Sequence, residues 1–341
     1  MKVLVTGHEG YLGVIAVEVL RGAGHEVHGL DSGLFRRCTL GDEPPAVPAV
    51  QVDLRDVRAE HLAGFDAILH LAALSNDPLG DLKPGITYDI NHSASVRLAE
   101  IAKSAGVGRF LYASTCSVYG ARGGDEALDE DAELAPVTAY AVSKVRVEDD
   151  LTKIADADFT PTFMRNATAF GFSPRPRLDI VVNNLVASAL LTGVVKVMSD
   201  GTPWRPLVHA RDIAGAAVAL LDAPREVISA RAYNVGSDSE NLRVSEIAEL
   251  VAQAVPDSTV EITGEFGGDP RSYRVDFSRI RKEVPAFVPT WTVAEGAKEL
   301  AREFAARGLT PEGLAQSYIR LKWLHHLQDL GELGEDLRWA S

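Results

Sequence analysis

Cysteine is nearly absent: Cys38 and Cys116 are the only two in 341 residues. Two thiols cannot build a disulfide framework, and their spacing has nothing of a zinc site, so no metal site is expected. Also missing is any apolar run of the length a bilayer requires. Met1 leads directly into MKVLVTG, which reads as a first strand rather than a signal peptide, and the expectation is a cytoplasmic protein. Positive charge is in deficit, with 34 Lys and Arg against 48 Asp and Glu, for a net −14. Such a field repels phosphate backbones and anionic lipid, which argues against nucleic-acid and membrane partners. A small anion binds only where local N–H groups and arginines override the global sign. No internal repeat, low-complexity stretch or flexible linker interrupts the chain.

The composition that remains is that of an ordinary globular protein, 46% hydrophobic and 24% charged. Its length allows two domains, or one large domain with a smaller lobe. Short apolar runs alternate with helical patterns through the first half, as in a parallel sheet built from βαβ units. Strands are expected at residues 2–6, 26–30, 50–52, 67–71, 109–113 and 162–165, and helices at 11–21, 88–104 and 140–155. Beyond 168 the pattern loosens into loops such as SPRPR at 173–177, followed by a helix at 180–191. The segments LVHARDIAGAAVALL at 207–221 and AYNVGS at 232–237 read again as helix and strand of the first sheet. The expected architecture is α/β, a Rossmann-type doubly wound parallel sheet with a smaller C-terminal α/β substrate lobe. Residues 1–167 form the first domain, 207–237 return to it, and the lobe at 168–341 is discontinuous.

In VLVTGHEGYLG, Gly7, Gly10 and Gly13 fall between a buried strand and an amphipathic helix. One glycine permits the turn, another lets backbone approach a pyrophosphate, and the third lets helix pack on strand, with the helix N-terminus facing the phosphate. The second strand leads to Asp31, placed to accept hydrogen bonds from the adenosine ribose hydroxyls and to repel a 2′-phosphate, which favours NAD. Arg36 and Arg37 nearby keep NADP as an alternative. Further on, TAYAVSK places Tyr140 and Lys144 one helical turn apart on a single face. A neighbouring ammonium and a nicotinamide cation lower a phenol's pKa, making Tyr140 an acid or base for a sugar hydroxyl. Thr115, in the strand end ASTCSVYG, is a hydroxyl that can orient the same oxygen.

Taken together, TGxxGxxG, Asp31, VDLRD at 52–56, HLAAL at 70–74, STCSVYG and YxxxK closely resemble an extended short-chain dehydrogenase/reductase. The chain resembles the NAD-dependent epimerase/dehydratase family, near its UDP-glucose 4-epimerase branch, over nearly its whole length. The resemblance implies that Asp53 and Leu54 contact adenine, that Leu71, Ala72 and Ala73 line the cofactor, and that Asn91, on the helix beneath the active site, is among the cofactor contacts. It adds Tyr11, Leu12 and Ser114 to the cofactor contacts. It also implies that Asn184 in NNL and Arg205 in DGTPWRPLVHARD bind the diphosphate of a nucleotide sugar, and that the protein is a homodimer through the helices at 88–104 and 140–155.

Three departures from the family pattern bear on the reaction. Cys116 and Ser117 stand where sugar 4,6-dehydratases carry an Asp-Glu pair, and neither protonates a leaving hydroxyl. Cys116 reads either as a small core residue or as a thiol at the substrate. In RNATAFG, Thr168 replaces an Asn expected at the substrate, and in EFGGDPRSYRVD, Phe266 replaces a commonly basic residue, with Arg271 or Arg274 to compensate. The expected activity is NAD-dependent epimerisation of a nucleotide sugar through a transient ketone, at C4. The alternatives are a keto-sugar reductase or atypical dehydratase of the same family, or a catalytically silent NAD(H)-sensing protein.

Overall fold

The computed structural model describes residues 1–75, 83–121, 126–265 and 271–340. Seven strands make one wholly parallel sheet: β1 (Lys2–Thr6), β2 (Glu26–Asp31), β3 (Ala49–Gln51), β4 (Ala67–His70), β5 (Arg109–Thr115), β7 (Thr160–Asn166) and β11 (Arg231–Val235). Their order is β11-β7-β5-β4-β1-β2-β3, so the chain winds outward from β1 in both directions. Every residue of β4 and β7 is buried. In β4, AILH, this matches a short apolar run, whereas β7, TPTFMRN, buries polar side chains such as Thr162 and Arg165.

Helices cover both faces. Tyr11–Gly22 packs beside Ala210–Asp222 on one side, over a cluster that includes Val5, Ile15, Leu20 and Leu220. Ala94–Ser104 and Ala139–Ile154 cover the other, over Leu98, Phe110, Val147 and Leu151. A separate apolar cluster organises the rest of the chain, from Val182 and Leu185 to Phe304 and Leu327. Around it lie two small sheets, β8 (Thr168–Phe170), β10 (Trp204–His209) and β12 (Asn241–Arg243), and β9 (Val194–Val197) with β13 (Thr259–Ile262); a third, β6 (Ala127–Leu128) with β14 (Arg274–Val275), packs Leu128 and Val275 on the first cluster. No described helix is long and apolar enough to cross a membrane.

The strand expected at 232–237 joins the main sheet as β11, parallel to β7. The segment at 207–221 divides differently from its sequence reading. Its beginning belongs to β10, which pairs with β8 and β12 away from the main sheet, and its helix starts only at Ala210. His209 sets that start by accepting the Arg211 N–H with Nδ1, at 3.1 Å. The helix expected at 88–104 begins at Pro84 and passes through a wider π-type turn over Tyr88–Ser93. Strand β5 runs on to Thr115, which places that hydroxyl at the carboxyl end of the sheet beside the turns after β1 and β4.

Candidate active site

The turn after β1 is possible only with glycine. Gly7 has φ +74°, and a Cβ there would lie 2.8 Å from the Ala72 nitrogen. A Cβ on Gly13 would lie 2.0 Å from the Gly7 carbonyl oxygen. The helix therefore begins directly at the strand end, with Gly10 N–H donating to Gly7 O at 3.0 Å. No side chain caps that helix at Gly10, so its first-turn N–H groups and positive dipole end face the cleft. Asp31 closes β2, and its carboxylate accepts N–H groups from Glu9 at 3.0 Å and Gly33 at 2.8 Å. Burial nevertheless pushes its pKa upward. A glycine cradle open to a diphosphate, with a carboxylate at the ribose position, fits NAD. Arg36 pairs with Glu9 at 2.8 Å and Arg37 with Glu332, and neither lines the cleft, so the arginines that kept NADP open are turned to other partners.

A single cleft of about 1110 Å³ runs from this loop to the second lobe. Its walls include Gly7, Gly10, Tyr11, Leu12, Gly13, Asp31, Asp53, Leu54, Leu71, Ala72, Ala73 and Ser114 at the dinucleotide end. Thr115, Tyr140 and Lys144 line its middle, and Thr168, Asn184, Arg205 and Arg271 its far end.

The floor of that cleft is tied to β1 by a neutral histidine. Ala72 N–H donates to Thr6 Oγ1 at 3.3 Å, and the Thr6 hydroxyl meets His70 Nδ1 at 2.6 Å. His70 Nε2 lies 2.8 Å from Ser95 Oγ. Burial, with the Lys144 charge second, pulls the imidazole down to about 3. The buried network thus fixes the 71–73 wall against the glycine turn without placing a charge there.

Tyr140 and Lys144 share the first turns of Ala139–Ile154, whose N-cap Thr138 accepts the Ala141 N–H at 3.2 Å. Lys144 is buried, donates from Nζ to Ala113 O at 2.7 Å, and lies over the Tyr112 ring at 4.6 Å and the Tyr140 ring at 5.6 Å. Burial pulls its ammonium down to about 7, opposed by the Glu148 carboxylate. Thr115 Oγ1 accepts the Ser117 N–H at 3.1 Å, turning the chain at the strand end. Ser114 Oγ donates to Glu148, which also binds the Arg165 guanidinium at 2.7 Å in a buried pair. At the far end, Arg205 Nη1 donates to the Arg271 carbonyl, and Arg271 Nη1 donates to Ser117 Oγ at 3.1 Å. Asn184 Nδ2 donates to Leu178 O at 2.8 Å.

Cys116, expected among the substrate contacts, is corrected by the structure. It is 1% exposed, does not line the cleft, and its thiol donates to Arg165 O at 3.1 Å. Burial also pushes that thiol upward, leaving it an inert core residue. Cys116 opens the tight turn Cys116–Tyr119 just past the end of β5, where its side chain enters the core while Ser114, Thr115 and Ser117 line the cleft. Asn91, expected to touch the cofactor, is likewise fully buried and outside the lining. It clamps the Leu74 backbone instead, accepting its N–H at 2.8 Å and donating to its carbonyl at 3.0 Å. Arg274 lies over the Trp204 ring at 5.1 Å and is absent from the lining, so of the two only Arg271 lines the cleft. Phe266 lies outside the described residues.

Several lining residues were not singled out from sequence. Asn166 faces the cleft from the end of β7, and its buried Oδ1 has no partner among the described residues. Its place beside Thr168 in RNATAFG was the available signal. Arg177 and Asp179 emerge from the SPRPRLD loop as an ion pair at 3.0 Å, with Arg177 Nη1 also donating to Ser75 Oγ at 3.1 Å. Arg320 reaches the cleft from more than a hundred residues away, which no local pattern reveals.

Comparison with known proteins agrees with this geometry. Residues 3–236 match the family model described as the NAD dependent epimerase/dehydratase family. The chain is 30% identical to a UDP-glucose 4-epimerase of Mycolicibacterium smegmatis, over 89% of this chain and 98% of the relative. Among solved structures it is similar to MoeE5 in complex with UDP-glucose and NAD, with 27% identity, a TM-score of 0.77, and coverage of 91% of this chain and 100% of the other. It is also similar to DesIV, a dTDP-glucose 4,6-dehydratase of Streptomyces venezuelae solved with NAD, at 25% identity and a TM-score of 0.78, covering 92% and 100%. With its glycine cradle, ribose carboxylate and Tyr-Lys pair on one cleft, the chain belongs to the NAD dependent epimerase/dehydratase family and is an NAD-dependent enzyme.

Proposed function

We propose that the protein epimerises a nucleoside-diphosphate sugar by oxidising its C4 hydroxyl to a ketone and reducing that ketone from the other face. Bound NAD supplies reversible two-electron redox chemistry and is restored within each cycle. In this reading Asp31 and the Asp53–Leu54 turn would hold the adenosine of NAD, and the helix start at Gly10–Gly13 its diphosphate. Tyr140 takes the sugar hydroxyl proton and later returns it, while Thr115 holds that oxygen in line. Lys144 stabilises the Tyr140 phenolate electrostatically and donates to the cofactor ribose. Arg205 and Arg271 meet the sugar's diphosphate with guanidinium forks, beside Asn184 and Thr168.

The observation that carries epimerisation over dehydration is the surroundings of Thr115. Cys116 turns into the core, and Ser117 is engaged by Arg271. Asp179, an acid in the lining, has both oxygens on Arg177, at 3.0 and 3.3 Å. Among the described residues, no carboxylic acid next to Thr115 is placed to protonate a leaving hydroxyl.

The test is incubation of purified protein with UDP-, dTDP-, GDP- and CDP-hexoses without added cofactor. A new epimer is expected, and Tyr140→Phe is expected to slow its formation about 10²- to 10⁴-fold while bound NAD stays the same. Stoichiometric consumption of NAD(P)H would instead establish a reductase, and loss of water from the sugar a dehydratase.

A cytoplasmic homodimer belongs to the same reading. Both cysteines are buried and unpaired, in keeping with a reducing compartment. The Ala94–Ser104 and Ala139–Ile154 helices lie side by side, and His92 meets Asp150 at 2.8 Å, so together they form one continuous face for a second copy. Light scattering of the eluting protein measures the mass that decides it.

A further inference from the structure

The last described residues fold back onto the cofactor half of the cleft. Ala340 N–H donates to Glu332 O at 2.8 Å, Gly334 N–H to Arg338 O at 2.8 Å and Leu337 N–H to Gly334 O at 3.0 Å, forming a tight hairpin over residues 332–340. Leu337, at its turn, has φ +60°. A leucine adopts that left-handed conformation only where its surroundings hold it. Here the backbone turn carries a side chain that is 7% exposed and lines the cleft.

The hairpin is tied to both walls of the pocket between Asp31 and Asp53. On the Asp31 side, Trp339 Nε1 donates to Ser32 O at 2.7 Å, and Glu332 pairs with Arg37. The Arg37 guanidinium also lies over the Trp339 ring, at 5.8 Å. On the Asp53 side, Arg55 binds the Asp53 carboxylate at 2.7 Å and donates from its other nitrogen to Asp336 O at 3.0 Å, while Arg338 pairs with Asp56. The segment therefore bridges the two elements assigned to ribose and adenine, and all of it lies beyond residue 236, where the family match ends.

We propose that this hairpin is the outer wall of the adenosine pocket, that Leu337 is a residue the dinucleotide rests against, and that NAD exchanges only when the hairpin opens. The inference rests on the adenosine placement given under the proposed function. Exposed ion pairs such as Arg338 with Asp56 are individually weak, so the ties hold the hairpin shut while leaving it able to open. Retention of this kind suits a reaction in which the same NAD serves successive cycles.

The test uses full-length protein loaded with NAD and no sugar, following exchange of bound NAD for labelled NAD. Leu337→Gly removes the apolar contact while keeping a residue at ease in the left-handed turn. Exchange is expected to quicken at least about tenfold, the equivalent of about 1.4 kcal/mol. Arg338→Ala, on a side chain 39% exposed, is expected to quicken it about threefold. Nicotinamide mononucleotide, which lacks the adenosine, is expected to bind wild type and both variants equally. Wild-type exchange rates in folded Leu337→Gly refute the proposal. So does an equal weakening of mononucleotide binding. If Leu337→Gly fails to fold, Arg338→Ala decides alone, and a wild-type rate refutes. Because no sugar is present, this outcome is independent of whether the protein is an epimerase.

Discussion

Lowering the pH from about 7.5 to about 5.0 is expected to destabilise the wild-type chain by about 2 kcal/mol more than a His70→Gln variant. The reasoning begins with a ring held between Thr6 and Ser95, fully buried and pulled down from 6.5 to about 3. Between those two values the unfolded chain binds a proton that the folded chain refuses. Stability from this group is thus intact above 6.5 and falls as the pH falls toward 3. Each unit below 6.5 costs about 1.4 kcal/mol, so the 1.5 units down to pH 5.0 amount to about 2 kcal/mol. Glutamine offers a neutral amide to the same two hydroxyls and does not titrate. Urea unfolding of both proteins at the two pH values measures the difference directly, with other titrating groups common to both chains. A differential below about 0.5 kcal/mol, within extrapolation error, would refute a neutral, buried His70.

Two further outcomes follow from the site. Gly13→Ala forces a Cβ to 2.0 Å from the Gly7 carbonyl. Because the Cβ position is fixed by the backbone and the atom it meets is itself backbone, the turn must shift, and NAD affinity by calorimetry is expected to fall about ten- to hundredfold, as for other overpacked sites. Affinity unchanged in Gly13→Ala would mean that the loop does not carry the diphosphate. Cys116→Ala is expected to leave turnover within about twofold of wild type, because the thiol is inert and outside the cleft. A hundredfold loss with the fold intact would return Cys116 to the reacting centre.

Where local pattern and local structure coincide, the sequence is a sufficient guide. The strand, glycine turn and helix over residues 2–22 are such a case, because all three glycines act within one turn. Tyr140 and Lys144 are another, since helical spacing alone puts them on one face. Thr115 and Cys116 differ by one residue, and a pattern cannot say at which of them the strand ends and the side chains change face. Arg320 and Trp339 are beyond local reasoning altogether. Arg320 donates to the Arg175 carbonyl and Trp339 to the Ser32 carbonyl, contacts made only after the whole chain has closed. The segment at 207–221 shows the same limit, because its β10 portion is settled by partners at 168–170 and 241–243.

The position of β11 sets the order in which the protein can be made. Strand β7 is buried along its whole length, yet its outer neighbour is synthesised only after the chain has passed through β8, β9, β10 and three helices. At 5–20 residues per second, a ribosome leaves β7 as an open sheet edge for about 3 to 13 s. An unpaired edge of that kind is a template for pairing with other chains. A nascent or truncated chain that stops short of Arg231 is therefore a species for chaperones rather than a free-standing cofactor domain.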